Sequence, residues 1–305
     1  MIDWAIKRTK QVRFLWRKVR LRVLTSLLTL ALFLALCWTL FPIWWAFALS
    51  IKRPPDFFTA KTLPFIQFNP TLTNWQDEWQ AFGDPAGLGR GLLGSLIVAT
   101  TTSALSLELG GLAAVGLRHR RRLPTALVGL LLLPRIFPPV VIALPFAGLM
   151  QRVNLTDTWL ALVIAHTTLT LPLALLVLYS ASLELPDELL EAAQLDGCGT
   201  LGLVRWIIAP LILPALLATG ALCFAQSWNE YLFALMNVQQ RAQTAPLSIA
   251  ALLTKDGIEF TYVGSHLILV MVPPLLLALV ARRYLVRGLS FGLLQDEVAG
   301  PAQPK

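Results

Sequence analysis

The chain's most informative cluster of acidic side chains is the run Leu185-Pro186-Asp187-Glu188-Leu189-Leu190-Glu191-Ala192-Ala193-Gln194-Leu195-Asp196-Gly197. Across the segment Glu184–Arg205, Glu184, Asp187, Glu188, Glu191 and Asp196 are set against Arg205 alone. An acidic loop in a chain of net charge +8 suits a basic protein surface better than a lipid headgroup. Pro186 fits a first helical position, and acids in the first turn complement the helix dipole. Gly197 fits a left-handed C-terminal cap. Leu189, Leu190, Ala193 and Gln194 share one side at helical spacing, and the small Ala192 and Ala193 permit close approach. A second short helix is expected from about Leu201 until Pro210 and Pro214 kink or start the next element. The outcome is a helix–turn–helix shaped to dock in a groove on another protein.

Other residues with chemical potential are scattered. Gly89-Arg90-Gly91-Leu92-Leu93-Gly94 spells GxGxxG but enters an apolar run instead of a strand–helix turn, so it is not a dinucleotide site. The sequence contains no GxxxxGK[ST], so this chain does not hold ATP in a P-loop. His119, His166 and His266 lie far apart with no HExxH, and His166 is read as an interhelical hydrogen-bonder. Cys37, Cys198 and Cys223 are isolated small hydrophobes. Asn154-Leu155-Thr156 matches a glycosylation sequon that means little in a bacterial protein. Glu108 and Arg135 each sit inside an apolar run, where a charge costs about 2.5–3.5 kcal/mol and faces protein or water. Each either lines a path or marks the edge of a span.

The elements that must carry these residues are membrane helices. The chain has 305 residues, of which 56% are hydrophobic and 14% charged, with a mean hydropathy of +0.67. A water-soluble domain cannot hide so much apolar surface. Six runs approach the roughly 20 residues that cross a bilayer: Val23–Phe47, Leu92–Leu117, Leu123–Met150, Trp159–Leu183, Ile207–Leu235 and Tyr262–Ala281. The first is too long, and its basic leader too extended, for a cleaved signal. The basic residues cluster at Lys7–Arg22, Arg118–Arg122 and Arg282–Arg287. The positive-inside rule then puts both termini and the Arg118–Arg122 loop in the cytoplasm. The same rule places segment 52–90 outside and segment 184–210 inside. Prolines 54, 55, 64, 70 and 85 argue against a regular helix through most of the outer segment. Pro134, Pro138, Pro139, Pro145, Pro172, Pro273 and Pro274 interrupt the spans, as is tolerated where helices pack around a path. Nucleic-acid binding is excluded, because no aromatic-basic module accompanies the charge.

Several stretches resemble one family. Glu191-Ala192-Ala193, followed by Gly197, Ile207 and Pro210, resembles the EAA motif of ABC importer permeases, with Ala209 in place of the usual Leu. Asn154-Leu155-Thr156-Asp157-Thr158-Trp159-Leu160-Ala161-Leu162 resembles the entry to the fourth span of the carbohydrate permeases. Trp228-Asn229-Glu230-Tyr231-Leu232-Phe233-Ala234-Leu235 resembles their signature near the outer end of the fifth, and Arg283-Tyr284-Leu285-Val286-Arg287-Gly288-Leu289 their tail. From about 90 to 292 the chain is similar to the MalG-like subunit type. Leu293-Leu294-Gln295 departs from the small residues and Lys usual there.

The resemblance implies an all-α membrane protein with the six-helix type I permease fold and a cytoplasmic EAA coupling helix. Segment 1–22 would be a basic cytoplasmic leader, 23–285 the permease domain and 286–305 a cytoplasmic tail. It implies a bacterial inner-membrane location, a second (MalF-like) permease subunit, two ATPase subunits and an extracytoplasmic solute-binding protein. The chain would have no catalytic residue, metal or cofactor of its own, since ATP is bound by the partner. Glu191, Ala192, Ala193, Asp196, Gly197 and Pro210 would couple to the ATPase while the permeases alternate access. The solute would be a mono-, di- or oligosaccharide or a polyol. A non-sugar solute such as a polyamine or phosphate would share the EAA loop, whereas a membrane enzyme would need clustered polar residues absent here. Trp228, Asn229, Glu230 and Tyr231 are expected in the outer half of the fifth span, either lining the sugar path or serving as interfacial anchors and packing residues.

Overall fold

The computed structural model describes residues 2–53, 56, 59, 61–84, 87–118, 123–254 and 260–290, and they are almost entirely helical. Helix α1 (Ile2–Ser50) is longer than its apolar run, because Lys and Arg are good helix formers and extend it through the basic leader. From Val23 to Phe47 its side chains are mostly exposed, a largely apolar surface. A short helix, α2 (Thr73–Ala81), interrupts the segment after it. Its polarity is inverted, with Asn74 and Glu78 buried and Trp79 76% exposed. Asn74 Nδ2 donates to the carbonyls of Ser50 and Lys52 at 3.0 and 2.8 Å, which fixes α2 on the end of α1.

Helices α3 (Leu88–Leu117) and α6 (Trp159–Leu183) form the most extensive pairing of the bundle. They approach closely at Gly110, where an added Cβ would lie 3.0 Å from both the Ala174 Cβ and the Leu175 nitrogen. Ser106 and Thr170 hydroxyls meet across the same interface at 2.6 Å. Small and hydroxylated residues are what hold helices together when lipid is as apolar as leucine.

Two of the expected spans are broken. The run Leu123–Met150 is not one helix but α4 (Thr125–Ile136) and α5 (Pro139–Arg152), of 12 and 14 residues. Phe137 is extended (ψ 147°), as a residue before proline prefers, and Pro139 then opens the second helix. The run Ile207–Leu235 is likewise divided. After α7 (Asp187–Leu195), an arm spanning Thr200–Leu211 consists of α8 (Thr200–Gly202), a π-helical stretch Leu203–Ile208 and α9 (Ala209–Leu211). It meets α10 (Leu213–Trp228) at 86°. Pro210 and Pro214 each lack the amide that would bond four residues back, and Ile212 between them takes up the bend with ψ 15°. A second break at Asn229–Tyr231 precedes α11 (Leu232–Asn237).

The chain closes with α12 (Ala245–Thr254) and α13 (Phe260–Ser290). Helix α12 packs on α3 and α13 and has no counterpart in the expected set of elements. Helix α13 lies against α10 and the end of α1. Among the described residues, four helices are long and apolar enough to cross a membrane, or five with the bent pair counted as one. Residues 119–122, with most of the basic loop and His119, lie outside the described residues, as do 291–305.

Candidate functional site

The acidic segment folds as α7, with Asp187 and Glu188 in its first turn. Leu190 and Ala193 turn inward onto a core that includes Leu178, Leu203 and Ile208. Glu191, Ala192, Gln194, Leu195 and Asp196 are exposed, so Ala192 and not Ala193 is the small residue on the outer face. Gly197 adopts φ +86°, the left-handed turn its position suggested, and nothing lies within 4 Å of where a Cβ would be. The amides of Gly197 and Cys198 donate to the Gln194 and Ala193 carbonyls at 3.0 Å, completing the turn. Pro210 is exposed in the arm, three residues before α10 begins. One acid does have a partner: Arg118, at the end of α3, donates to Asp187 Oδ1 at 2.8 Å and to the Leu185 carbonyl. Beside this pair a cleft of about 490 Å³ opens between α3, α7 and the arm, lined by Arg118, Leu190, Glu191, Gln194 and Thr200. The surface left outward is acidic at Glu188, Glu191 and Asp196 and apolar at Leu195 (88% exposed).

The four residues of the fifth-span signature have different surroundings. Trp228 is buried against α13, stacked on Phe224 at 5.5 Å and donating its Nε1–H to the Val270 carbonyl at 3.3 Å. Asn229 and Tyr231 are exposed. Glu230 lies between them at the break, and its carboxylate accepts the Phe233 amide at 3.0 Å, capping α11. His166 of α6 reaches Glu230 Oε2 through Nε2 at 3.1 Å and Ser227 Oγ through Nδ1 at 2.7 Å. A carboxylate only accepts, so Nε2 carries a proton, and in the neutral ring Nδ1 accepts from the Ser227 hydroxyl. One buried side chain thus ties α6 to the end of α10 and to the break itself, as the interhelical hydrogen-bonder expected of His166. Glu108 is exposed on α3, and Arg135 falls in α4.

Among the described residues no group of three or more His, Cys, Asp or Glu is placed to hold a metal. Residues 106–291 match the family model described as "Binding-protein-dependent transport system inner membrane component". The chain belongs to that family. It is therefore a transport permease of the inner membrane and not an enzyme. The permease is 31% identical to the "Probable ABC transporter permease protein y4oR" of Sinorhizobium fredii, over 83% of this chain and 89% of that one. It is 30% identical to the "Sulfoquinovosyl glycerol transport system permease protein SmoH" of Agrobacterium fabrum, over 84% and 89%. It is 31% identical to the "Trehalose/maltose transport system permease protein MalG" of Thermococcus litoralis, over 85% and 92%. Its fold is similar to that of a chain in the crystal structure of a bacterial ABC transporter involved in the import of the acidic polysaccharide alginate. The TM-score is 0.67 at 17% identity, over 86% of this chain and 96% of that one.

Two features of the permease escaped sequence reasoning. The first is the pairing of Glu230 with His166; treating both as intramembrane polar groups in need of partners would have suggested it. The second is Asp157, which has φ +61° and whose carboxylate accepts the backbone amides of Gln239, Gln240, Arg241 and Ala242 at 2.9–3.2 Å. Its own amide donates to the Asn237 carbonyl at 2.9 Å. The loop between α5 and α6 is thereby stapled to the loop between α11 and α12. The signal was available in Asp157-Thr158 before an apolar run, since Asp tolerates the left-handed region and Thr caps a helix. Thr158 Oγ1 does accept the Ala161 amide.

Proposed function

We propose that this permease is one of two membrane subunits of an ATP-driven sugar importer, supplying half the path and docking an ATPase through α7 and the Gly197 turn. The observation that carries this reading is the projecting face of α7. Glu191, Ala192 and Asp196 stand outward, Leu190 and Ala193 root the helix in the bundle, and Gly197 turns the chain into the arm that leads to the bent fifth span. A rigid acidic knob fixed to a span is suited to receive a push from a basic groove and pass it inward. The relatives' names, which include trehalose/maltose and sulfoquinovosyl glycerol transport, support a sugar as solute.

In this reading the second permease subunit completes the path, a solute-binding protein delivers sugar from outside, and ATP stays with the ATPase subunits. The permease crosses six times, with α4 and α5 together forming the third crossing. Both termini and α7 face the cytoplasm, while the segment carrying α2 faces outward. Asn229 and Tyr231, exposed at the break and braced by the His166–Glu230 pair, are the path-lining candidates. The buried Trp228 serves packing.

The test is to purify Glu191→Ala and Gly197→Val with their partner subunits and to measure ATPase retention, hydrolysis and sugar uptake together. Valine at φ +86° costs about 1–2 kcal/mol locally and should displace the turn. Both variants should lose uptake, through a released ATPase or through hydrolysis no longer tied to transport, while the bundle still inserts. Normal values of all three quantities in both variants would refute the coupling role.

A further inference from the structure

A second cavity lies on the outside of the bundle, where the arm Thr200–Leu211 crosses α3. It holds about 440 Å³, and its floor is apolar, formed by Leu107, Leu112 and Val115 of α3, by Ile208 of the arm, and by Leu216 of α10. Two charged residues of opposite sign, Glu108 and Arg205, line this groove. Glu108 has no ion pair or hydrogen bond among the described residues. Arg205 has no ion pair among them; its guanidinium sits 5.3 Å from the ring of Trp206.

The depth of the groove follows from the bend. Since the arm stands at 86° to α10, it runs along the membrane plane when α10 crosses the bilayer. Trp206, 72% exposed and adjacent to Arg205, is the residue type that settles at the headgroup boundary. Arg205 is thereby placed near headgroup level with Glu108 in the same groove, and a lone carboxylate against an apolar floor is costly without a cation.

We propose that this groove binds one phospholipid of the leaflet on the α7 side, of the kind whose headgroup carries a phosphate and a primary ammonium. The phosphate takes the Arg205 guanidinium, which matches its geometry. The ammonium, two carbons away in the same headgroup, donates to the Glu108 carboxylate, and an acyl chain covers Leu112 and Leu216. A single molecule thus satisfies two opposite charges and the apolar floor. A free phosphate would leave Glu108 alone, and a purely anionic lipid would be repelled by it.

The complete importer complex is purified in detergent and exposed to an equimolar mixture of phosphatidylethanolamine, phosphatidylcholine and phosphatidylglycerol with matched chains. The lipids retained are quantified by mass spectrometry. Phosphatidylethanolamine should exceed each of the others by about five-fold, the scale of one partly screened ion pair. Phosphatidylcholine falls short because its quaternary ammonium cannot donate a hydrogen bond. Glu108→Gln should abolish the preference over phosphatidylglycerol, and Arg205→Ala should lower retention of all three. Leu112→Trp, which touches neither charge, should lower phosphatidylethanolamine retention by filling the floor, and it carries the test if a charge variant fails to assemble. Equal retention of the three lipids, or a preference that survives both Glu108→Gln and Leu112→Trp, would overturn the assignment. So would cross-linking of a Glu108→Cys variant to the second permease subunit, since that subunit would then occupy the groove.

Discussion

Replacing Asp157 by asparagine changes one charge and little else, because asparagine also accepts the left-handed conformation seen at φ +61°. The carboxylate receives four amides from the 239–242 loop, and hydrogen bonds to a charged group contribute about 1.5–3 kcal/mol each when isolated. Gln239, Gln240 and Arg241 are exposed, so water replaces much of what is lost there, and the four bonds do not add. The net cost of Asp157→Asn should be about 2 kcal/mol, and Asp157→Ala should cost about 1 kcal/mol more for the left-handed backbone. In a chain of this size about 2 kcal/mol corresponds to a fall of roughly 4 °C in unfolding temperature, readable by intrinsic tryptophan fluorescence in detergent. The pH dependence separates charge from packing. Burial pushes the Asp157 carboxyl up, but the amides of Arg241, Ala242, Gln239 and Gln240 outweigh it and hold its pKa below the usual carboxylate value. A depressed folded pKa gives stability that is present above the unfolded value of about 3.9 and is lost as pH falls through the folded one. The gap between the native protein and Asp157→Asn should be constant from pH 5 to 8 and close below about pH 4. An unchanged gap at pH 3, or none at pH 7, would refute the staple.

Three further outcomes are expected. An added Cβ at Gly264 would lie 2.4 Å from the Ser50 backbone nitrogen, so Gly264→Ala should force α1 and α13 apart at a cost of about 2–3 kcal/mol, seen as faster proteolysis near Ser50. His166→Phe keeps ring volume but leaves the Glu230 carboxylate and Ser227 hydroxyl without their shared partner; it should cost about 2–3 kcal/mol, and combined with Glu230→Gln should be clearly non-additive in thermal unfolding. Arg118→Ala should loosen α7 by removing its tie to α3, raising hydrogen exchange in residues 187–195 while leaving α10 protected.

The sequence was most informative where one physical signal acted alone. Helix α6 begins and ends at the expected Trp159 and Leu183, because a predominantly apolar run without charged residues is bounded by a Thr cap on one side and Glu184-Leu185-Pro186 on the other. Helix α1 outran its apolar run because hydropathy reports lipid contact whereas helix propensity reports backbone preference, and the basic leader satisfies only the second. The breaks at prolines 138 and 139 and the kink at 210 and 214 were legible in the sequence, but the 86° angle of the second was not. Pro145 and Pro172 lie inside continuous helices, so a proline's effect depends on whether neighbours supply the freed groups. Contacts such as His166 with Glu230, His266 with Glu78 at 3.2 Å, and Asp157 with the 239–242 loop join distant parts of the chain. Local patterns mark such residues as in need of partners, but which partner each finds is set only once the helices are assembled.

The right-angle joint at Ile212 fixes a lever ratio between the arm and α10. The arm of about 12 residues is about 18 Å long and α10 about 24 Å, at 1.5 Å per residue. With the joint held at 86°, the two behave as a bell crank pivoting near Ile212. A displacement of about 3 Å at the Thr200 end, perpendicular to the arm, rotates both limbs by about 10° and sweeps the Trp228 end of α10 sideways by about 4 Å. With α10 upright in a bilayer, such a rotation would convert motion normal to the membrane at the arm into motion in its plane at the far end of α10. That end of α10 carries the break at Asn229–Tyr231 and the hydrogen bonds of Glu230.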